Sequence, residues 1–478
     1  CYGCSLGDHE MLYRPCLKAI MLAVGSFLIT ACQAPDLAYL KANTFTLIQK
    51  NEKSGNRIGN NGDSDVANRN TKPLSEMLTG SLAAKNDGVD FQSVMRSALT
   101  NDPAIISRKR SLKAKQAAID ASEAQKDFQI ASTLYGGLED ITDVAPGLAL
   151  SLNASRVIFD GGMIDAQIAF KTFTSKAAEL ELSTTVNERA YRLGVIWLEL
   201  EKYKTLQNKI DQRLSVLDPL IGQLEQVAKA GVGDVSKVTA AQRTVSDIRV
   251  KQTNISEGLA KAELEFESAF GFIDKSISYD ADFVRNLIPG NVDAALAERS
   301  PLLLSKYENY KAALATVAAV RAKDDFNIGF EARALKPLGD SENESDESIG
   351  FVARKTLFNG GLLESELGEA EAMAQAAISD IEVTYRQGVR IVQSAVQSIE
   401  SMEKAIILAK ENAKVTSDEI LYLRQQLVIG GSTLDSVLSA EARLYDAQSK
   451  EIMFMTDKRI AELTIANTAG LLGNAFGF

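Results

Sequence analysis

The chain repeats its corner and turn motifs at a nearly constant spacing, and this constrains its fold more than any other feature. The segment Phe159-Asp160-Gly161-Gly162 recurs 199 residues later as Phe358-Asn359-Gly360-Gly361. Slightly upstream the offset is 198, because Asp127-Phe128-Gln129-Ile130 recurs as Asp325-Phe326-Asn327-Ile328. Repeats of about 20–50 residues indicate solenoids or propellers. A spacing this much longer indicates that one whole structural unit is duplicated.

The first 31 residues have the features of a secretion signal. Met11 fits a start position, because Arg14 and Lys18 give a positive segment ahead of the apolar run Ala19–Ala31. This run is too short for a membrane-spanning helix, which needs about 20 apolar residues. We therefore interpret residues 1–31 as upstream sequence followed by a signal peptide.

A cysteine follows the signal directly. The segment Ile29-Thr30-Ala31-Cys32 has the form of a bacterial lipobox, which predicts that Cys32 is acylated; the alternative is a chance cysteine after an ordinary cleavage site. His9, the sole histidine, and the other three cysteines all precede Cys32. A chain cut there has no disulfide, no Cys/His metal site and no Ser-His-Asp triad. We predict no enzyme activity, metal or cofactor, and the net charge of −11 argues against nucleic acid as a partner.

After a polar extension over residues 32–89, each repeat contains two predicted strands. Phe326, Ile328 and Phe330 alternate with polar or small residues, which is the period of a strand. The predicted strands cover about 128–138 and 146–158 in the first repeat, and about 326–336 and 347–358 in the second. Alternating strands of about 9–11 residues suit a transmembrane β-barrel. A soluble antiparallel sheet with one wet face shows the same pattern, so both interpretations stay open.

Each strand pair is followed by a very long predicted helix. From Gly161 to Lys229, apolar residues recur every seven positions, for example Leu193 and Leu200, which indicates a coiled-coil seam. Such a helix is a rod of about 100 Å. We predict a mainly α chain with a β portion, built from two units that each join a two-stranded hairpin to a long helical hairpin. The units cover residues 90–289 and 290–473, and 474–478 form a tail.

The order of these parts resembles the TolC-like outer-membrane channel family, whose members include lipoprotein outer membrane factors. The resemblance covers about residues 90–473 and rests on Asp102-Pro103, the duplicated corner motif, and the hairpin tips Gly231–Val238 and Gly430–Leu438. It implies a homotrimer with a barrel of about 12 strands in the outer membrane and a helical α-barrel in the periplasm. The protein would be lipid-anchored in the cell outer membrane through palmitate on Cys32.

The resemblance also implies a function. The chain would be the passive exit duct of a tripartite efflux or type I secretion system, opened at its periplasmic tip by an adaptor protein and an inner-membrane transporter of ABC or RND type. The sequence does not distinguish drug, metal and protein as the transported substrate. An alternative is a periplasmic coiled-coil lipoprotein scaffold without transport activity, which explains the helices and Cys32 but gives the strands no role. A carboxylate-dependent cell-wall hydrolase is a third class, but no carboxylate pair is singled out.

Two groups of residues are the candidate functional positions. The hairpin tips are expected to contact the adaptor and hold the channel shut; their residues are Gly231, Gly233, Asp234, Lys237, Gly430, Gly431, Thr433, Asp435 and Glu441. The corner glycines Gly161, Gly162, Gly360 and Gly361 are expected to turn the backbone from strand into helix, where positive φ or close packing is needed. Family members often carry an acidic ring at the second tip, but the two usual positions hold Ser436 and Ser439 here. An acidic gate is therefore not carried over.

The alternation on the strands also predicts which side chains share a face. Ile328, Phe330, Ile349 and Phe351 are expected to face lipid, whereas Glu331, Arg333 and Arg354 are expected to face the lumen.

Overall fold

The computed structural model describes residues 90–137, 147–231, 235–271, 278–290, 292, 295–338 and 345–478. The predicted lipidation site Cys32 and the extension to residue 89 lie outside these residues. The first half contains two helices, a strand pair, a long helix and a return helix: α1 (Phe91–Asn101), α2 (Pro103–Glu123) ending in a 3-10 turn (Ala124–Lys126), β1 (Gln129–Gly137), β2 (Gly147–Phe159), α3 (Met163–Ala230) and α4 (Val235–Phe270).

The second half shows the same order of parts. Its elements are α5 (Ala281–Leu287), α6 (Ala295–Glu298), α7 (Pro301–Ala322), β3 (Asn327–Leu338), β4 (Asp346–Arg354), α8 (Leu362–Val428), α9 (Leu434–Thr468) and α10 (Leu471–Ala475). The chain is mainly helical, as predicted. None of the described helices combines the length and the hydropathy that crossing a bilayer would require.

Local sequence explains where the helices begin. The Asp102 carboxylate accepts hydrogen bonds from the Ala104 and Ile105 amides at 2.8 and 3.2 Å, and Pro103 occupies the first helical position of α2. Amide groups at a helix start lack a partner within the helix. The Asp102 side chain supplies a partner for two of them, and Pro103 has no amide hydrogen to satisfy. The helices α3 and α8 have 68 and 67 residues, and α3 continues through Pro219. Each is a rod of about 100 Å.

The four strands form one antiparallel sheet in chain order, so β1 and β4 are its edges. The register pairs Arg156 with Phe330 and Phe330 with Phe351, so these three side chains share a face. That face carries Ile130, Leu134, Leu148, Leu150, Leu152, Ile328, Phe330, Ile349 and Phe351. The opposite face carries Thr133, Asn153, Ser155, Glu331, Arg333, Ser348 and Arg354. The side chains assigned to two faces from the sequence do lie on opposite faces of the sheet.

An aromatic core holds the helices together near the middle of α3. Trp197 is buried, and its ring makes edge contacts with Phe91, Phe266 and Phe270 at centroid distances of 5.1–5.2 Å. These rings come from α1, α3 and α4, so one tryptophan joins three helices. A second core lies nearer the hairpin ends, where α9 packs on α3 and α4 through Leu438.

Candidate functional site

The corners between strand and helix are built from paired glycines. Gly161 and Gly162 have φ of 68° and 86°, and Gly360 and Gly361 have φ of 69° and 83°. These values lie in the left-handed region, which side chains other than glycine disfavour. At the first corner Asp160 accepts hydrogen bonds from the Gly162 and Ile164 amides at 2.9 and 2.7 Å, and so caps the start of α3.

The two corners differ in what surrounds them. A Cβ added at Gly161 would lie 2.6 Å from the Asp325 Cβ and 2.9 Å from the Ala322 carbonyl oxygen, so the first corner is closed by the end of α7. A Cβ added at Gly360 would meet nothing within 4 Å. The second corner therefore lacks, among the described residues, the contact that the first corner has.

The helices beside the corners show the same difference. The helix α7 packs against both α3 and α8, whereas its counterpart α2 packs against α3. Seven residues of α7 are buried, but α2 buries only Ile105 and Ser122. Next to the second corner, Leu357 and Phe358 are 90% and 88% exposed. One side of α2 and one side of the second corner are thus uncovered in the described chain.

The first hairpin tip is described in part. Gly231 follows α3 with a φ of 61°, which fits a tight reversal. Gly233 and Asp234 lie outside the described residues. Lys237 lies in the first turn of α4, but its side chain is not among those described.

The second tip is a capped turn. The Gly431 amide donates to the Gln426 carbonyl oxygen at 2.9 Å and closes α8, and Gly430 has a φ of 77°. Thr433 caps α9 through a 3.2 Å hydrogen bond from the Ser436 amide to its hydroxyl oxygen. Asp435 is half-buried in the first turn of α9.

Two exposed residues of this tip were missed by the sequence reasoning. Val428 and Ile429 end α8 with 86% and 81% of their surfaces exposed. Apolar side chains so exposed at a hairpin end point to an interaction surface when they are contiguous. The available signal was a pair of β-branched apolar residues directly before Gly430-Gly431, but the predicted tip began only at Gly430.

Glu441 corrects the prediction for this tip. Its side chain is only 1% exposed, so it is not available in this structure for contact with an adaptor. Instead, its two carboxylate oxygens accept from Arg213 of α3 at 3.0 Å and from Arg424 of α8 at 2.7 Å. The Nε atoms of both arginines are buried without a partner among the described residues. Glu441 therefore ties the second hairpin to the first through a three-charge cluster, in which the carboxylate is buried and the two arginines are partly exposed.

A second polar cluster lies close to the aromatic core. Glu201 accepts a 2.6 Å hydrogen bond from the Tyr279 amide and lies 3.6 Å from Arg459. Burial raises the pKa of Glu201, although the Tyr279 amide and Arg459 counteract it. Burial also raises the pKa of Glu462. Among the described residues, no group of three or more His, Cys, Asp or Glu side chains is placed to hold a metal ion.

Residues 293–471 match the family model described as outer membrane efflux protein. This segment is therefore similar to outer membrane efflux proteins. It includes α7, the β3–β4 strand pair, α8 and α9, which are the parts that also carry the second corner and the second tip. The resemblance to TolC-like outer-membrane channels is therefore confirmed.

Solved structures share the fold over most of the chain. The channel-forming protein CusC superposes with a TM-score of 0.69 at 15% identity, over 81% of this chain and 95% of CusC. The outer membrane protein VceC of Vibrio cholerae gives 0.68 at 18% identity, over 79% and 95%. The CmeC outer membrane channel of Campylobacter jejuni gives 0.69 at 12% identity, over 79% and 85%. No curated protein matches the chain. The family and these structures are channels and not enzymes.

Proposed function

We propose that three copies of this chain form a passive exit duct through the outer membrane, as part of a tripartite efflux or type I secretion system. The observation that carries the proposal is the sheet, whose apolar and polar side chains are sorted to opposite faces. Several members of the apolar face are strongly exposed, including Ile130, Ile349 and Phe351 at 70–76%. A lipid bilayer covers such a face, and a water-filled lumen suits the other.

The number of strands requires more than one chain. Four strands are too few to close a membrane barrel, since the smallest have about eight. An open sheet edge in lipid leaves backbone groups without hydrogen bonds at several kcal/mol each. Three copies supply about 12 strands and leave no edge.

The unequal corners support the same assembly. Gly161 packs against Asp325, and the repeat offset makes Gly360 and Asp127 the equivalent pair. Within one chain Gly360 has no such contact. A neighbouring copy that presents its Asp127 to Gly360, and its α2 to α8, would give both corners and both helices the same surroundings. A closed ring of copies provides this at every junction.

The helical hairpins extend away from the sheet and form the periplasmic mouth in this proposal. The rise of α3 and α8 carries the tips about 100 Å from the barrel. Val428 and Ile429 form the apolar part of the adaptor contact, and Asp435 with Gly430-Gly431 and the first tip forms its polar part. The Glu441 cluster holds the second hairpin against the first until the adaptor separates them.

The anchor and the pump complete the proposal. Cys32 carries the lipid, so Cys32→Ser should abolish labelling by radioactive palmitate, and label on the variant would contradict the anchor. The transporter is of ABC or RND type, and the duct passes whatever that transporter delivers. Drug, metal and protein substrates all fit a water-filled tunnel of this kind.

Detergent extraction and crosslinking test the proposal. A heat-modifiable trimer is expected, whereas a monomer or soluble dimer would favour the scaffold. In the acylated protein, Asp234→Cys and Ser436→Cys should crosslink to the adaptor. Crosslinks that form only from the strand loops 139–145 or 336–347 would place the partner at the opposite end and contradict the proposal.

A further inference from the structure

Each repeat places one cation over one phenylalanine at the helix end of the sheet. The Arg156 guanidinium lies 5.3 Å from the centroid of the Phe128 ring, and the Lys355 ammonium lies 5.4 Å from the Phe326 ring. Phe326 follows Phe128 by 198 residues, and Lys355 follows Arg156 by 199, so the pairs are equivalent positions of the two repeats. The exposed fractions of Phe128 and Phe326 also agree, at 53% and 52%. The duplicated unit has thus kept a cation–π pair at one level of the sheet.

Both pairs lie on the side of the apolar face. Asn327 and Arg354 are paired and Arg354 belongs to the polar face, so the next residues outward, Phe326 and Lys355, alternate to the apolar side. The strand alternation places Phe128 beside Ile130, and the register places Arg156 opposite Phe330. The rings of Phe128 and Phe330 are 5.9 Å apart, and those of Phe330 and Phe351 are 5.8 Å apart. Arg156 therefore lies in an aromatic band where the apolar face gives way to the corners, and Lys355 with Phe326 is the equivalent pair of the second repeat.

Neither cation has a carboxylate partner in the described part of the chain. Arg156 donates from Nε to the Lys126 carbonyl oxygen at 3.1 Å, which fixes its position without neutralising its charge. The neighbouring cations differ, because Lys126, Arg321 and Lys323 pair with Asp165, Glu371 and Glu366. On the polar face, Arg354 pairs with Glu331 at 2.7 Å. Arg156 and Lys355 are thus two unneutralised charges on an apolar surface.

We propose that Arg156 and Lys355 bind the phosphate groups of anionic phospholipids at the helix-side boundary of the barrel. The proposal rests on the membrane insertion proposed above. Girdles of aromatic residues flank the apolar band of a membrane barrel, and in such a girdle Phe128 and Phe326 would each hold a cation at the depth of the headgroups. Anionic lipid attracts a lysine or arginine near the surface. A closed ring of copies repeats the two cations around the barrel, so that anionic lipid is enriched along its whole circumference.

Spin-labelled lipids test this in the full-length channel reconstituted in vesicles. The measured quantity is the association of spin-labelled phosphatidylglycerol with the protein, relative to spin-labelled phosphatidylcholine. We expect the wild type to prefer phosphatidylglycerol, and Lys355→Gln to lower the preference by up to about fivefold. Arg156→Gln combined with Lys355→Gln should abolish it. Arg333→Gln is the matched control, because it removes a cation from the opposite face, and it should leave the preference unchanged.

The outcomes separate this inference from the proposed function. Equal association of both lipids with the wild type, or a full preference for phosphatidylglycerol in Lys355→Gln, would overturn the lipid site. Neither result would contradict the barrel. A wild type that associates with neither lipid is not in the bilayer, and that result would contradict both the barrel and the lipid site. Lys355 has an exposed side chain at the end of β4, so its substitution tests the site even if the Arg156 variant does not fold.

Discussion

Gly161 lies so close to Asp325 that a Cβ at position 161 would stand 2.6 Å from the Asp325 Cβ. The contact joins the start of α3 to the end of α7, and so fixes the first strand pair relative to the second. Gly360 has the same positive φ and the same place in its repeat, but no neighbour in the described chain. The proposed trimer supplies that neighbour as Asp127 of the next copy.

Gly360→Ala is therefore expected to block trimer assembly. The left-handed φ alone costs about 1–2 kcal/mol for any residue with a Cβ, and a clash with the neighbouring copy would add to it. Gly162→Ala and Gly361→Ala are matched controls, since both have positive φ and open space around the Cβ position within the chain. The fraction of heat-modifiable trimer on a gel measures the effect. If Gly360→Ala assembles as well as the two controls, no copy packs on this corner.

The two faces of β4 can be compared by introducing an arginine at each of two adjacent positions. Phe351→Arg places a charge on the apolar face, which costs about 2–4 kcal/mol at the bilayer midplane. Val352→Arg places the same charge on the opposite face, next to the polar side chains. We expect the first variant to fail in membrane insertion and the second to insert, as measured by recovery in the outer-membrane fraction. Equal recovery of both variants would favour a soluble sheet.

The Glu441 cluster can be tested as a latch. Glu441→Gln leaves Arg213 and Arg424 without a counter-charge, and the cost stays below the roughly 3–5 kcal/mol of a fully buried pair because both arginines are partly exposed. We expect a higher resting conductance in planar bilayers, because the second hairpin is held less firmly against the first. The control is Glu419→Gln, which breaks the exposed pair with Arg443 and should leave the conductance unchanged. An unchanged conductance in Glu441→Gln would show that the cluster does not hold the mouth shut.

The features set by local sequence were predictable, and those set by distant contacts were not. The seven-residue repeat predicted helices the length of α3 and α8, and the period-2 pattern predicted which side chains share a face. Glu441 was predicted to be a surface residue of the tip. Its burial was not predictable from local sequence, because it depends on Arg213, which lies 228 residues earlier in the chain. The fourth strand was predicted to continue to residue 358 but ends at Arg354, because its partner β3 begins at Asn327 opposite Arg354.

The buried carboxylate of Glu462 predicts a pH dependence of stability. Burial raises its pKa, Glu403 of α8 reinforces the shift, and Lys458, Arg285 and Arg459 oppose it. At low pH this carboxyl is neutral in the folded protein, so its burial carries no free-energy cost of burying a charge. Its contribution is fully present below the unfolded-state pKa and is lost as pH rises through the folded-state pKa.

Glu462→Gln should therefore leave thermal stability unchanged at pH 4 and raise it at pH 7. The fluorescence of Trp197, the only tryptophan in the chain, reports on unfolding of the aromatic core nearby. The control is Glu257→Gln. The exposed pair with Lys261 lowers the pKa of Glu257, so the change in stability at pH 7 on substitution should have the opposite sign. A variant less stable than the wild type at pH 7 would show that the ion pairs of Glu462 outweigh its burial.

Single-channel recording with a charged thiol reagent tests the central claim, which is that the polar face of the sheet lines a water-filled pore. Arg333→Cys places a thiol on that face, and Phe330→Cys places one on the opposite face of the same strand. We expect stable conductance steps from the purified protein, altered by the reagent in Arg333→Cys and unaffected in Phe330→Cys. A protein that conducts no ions, or a reagent that acts at position 330 and not at 333, would contradict it.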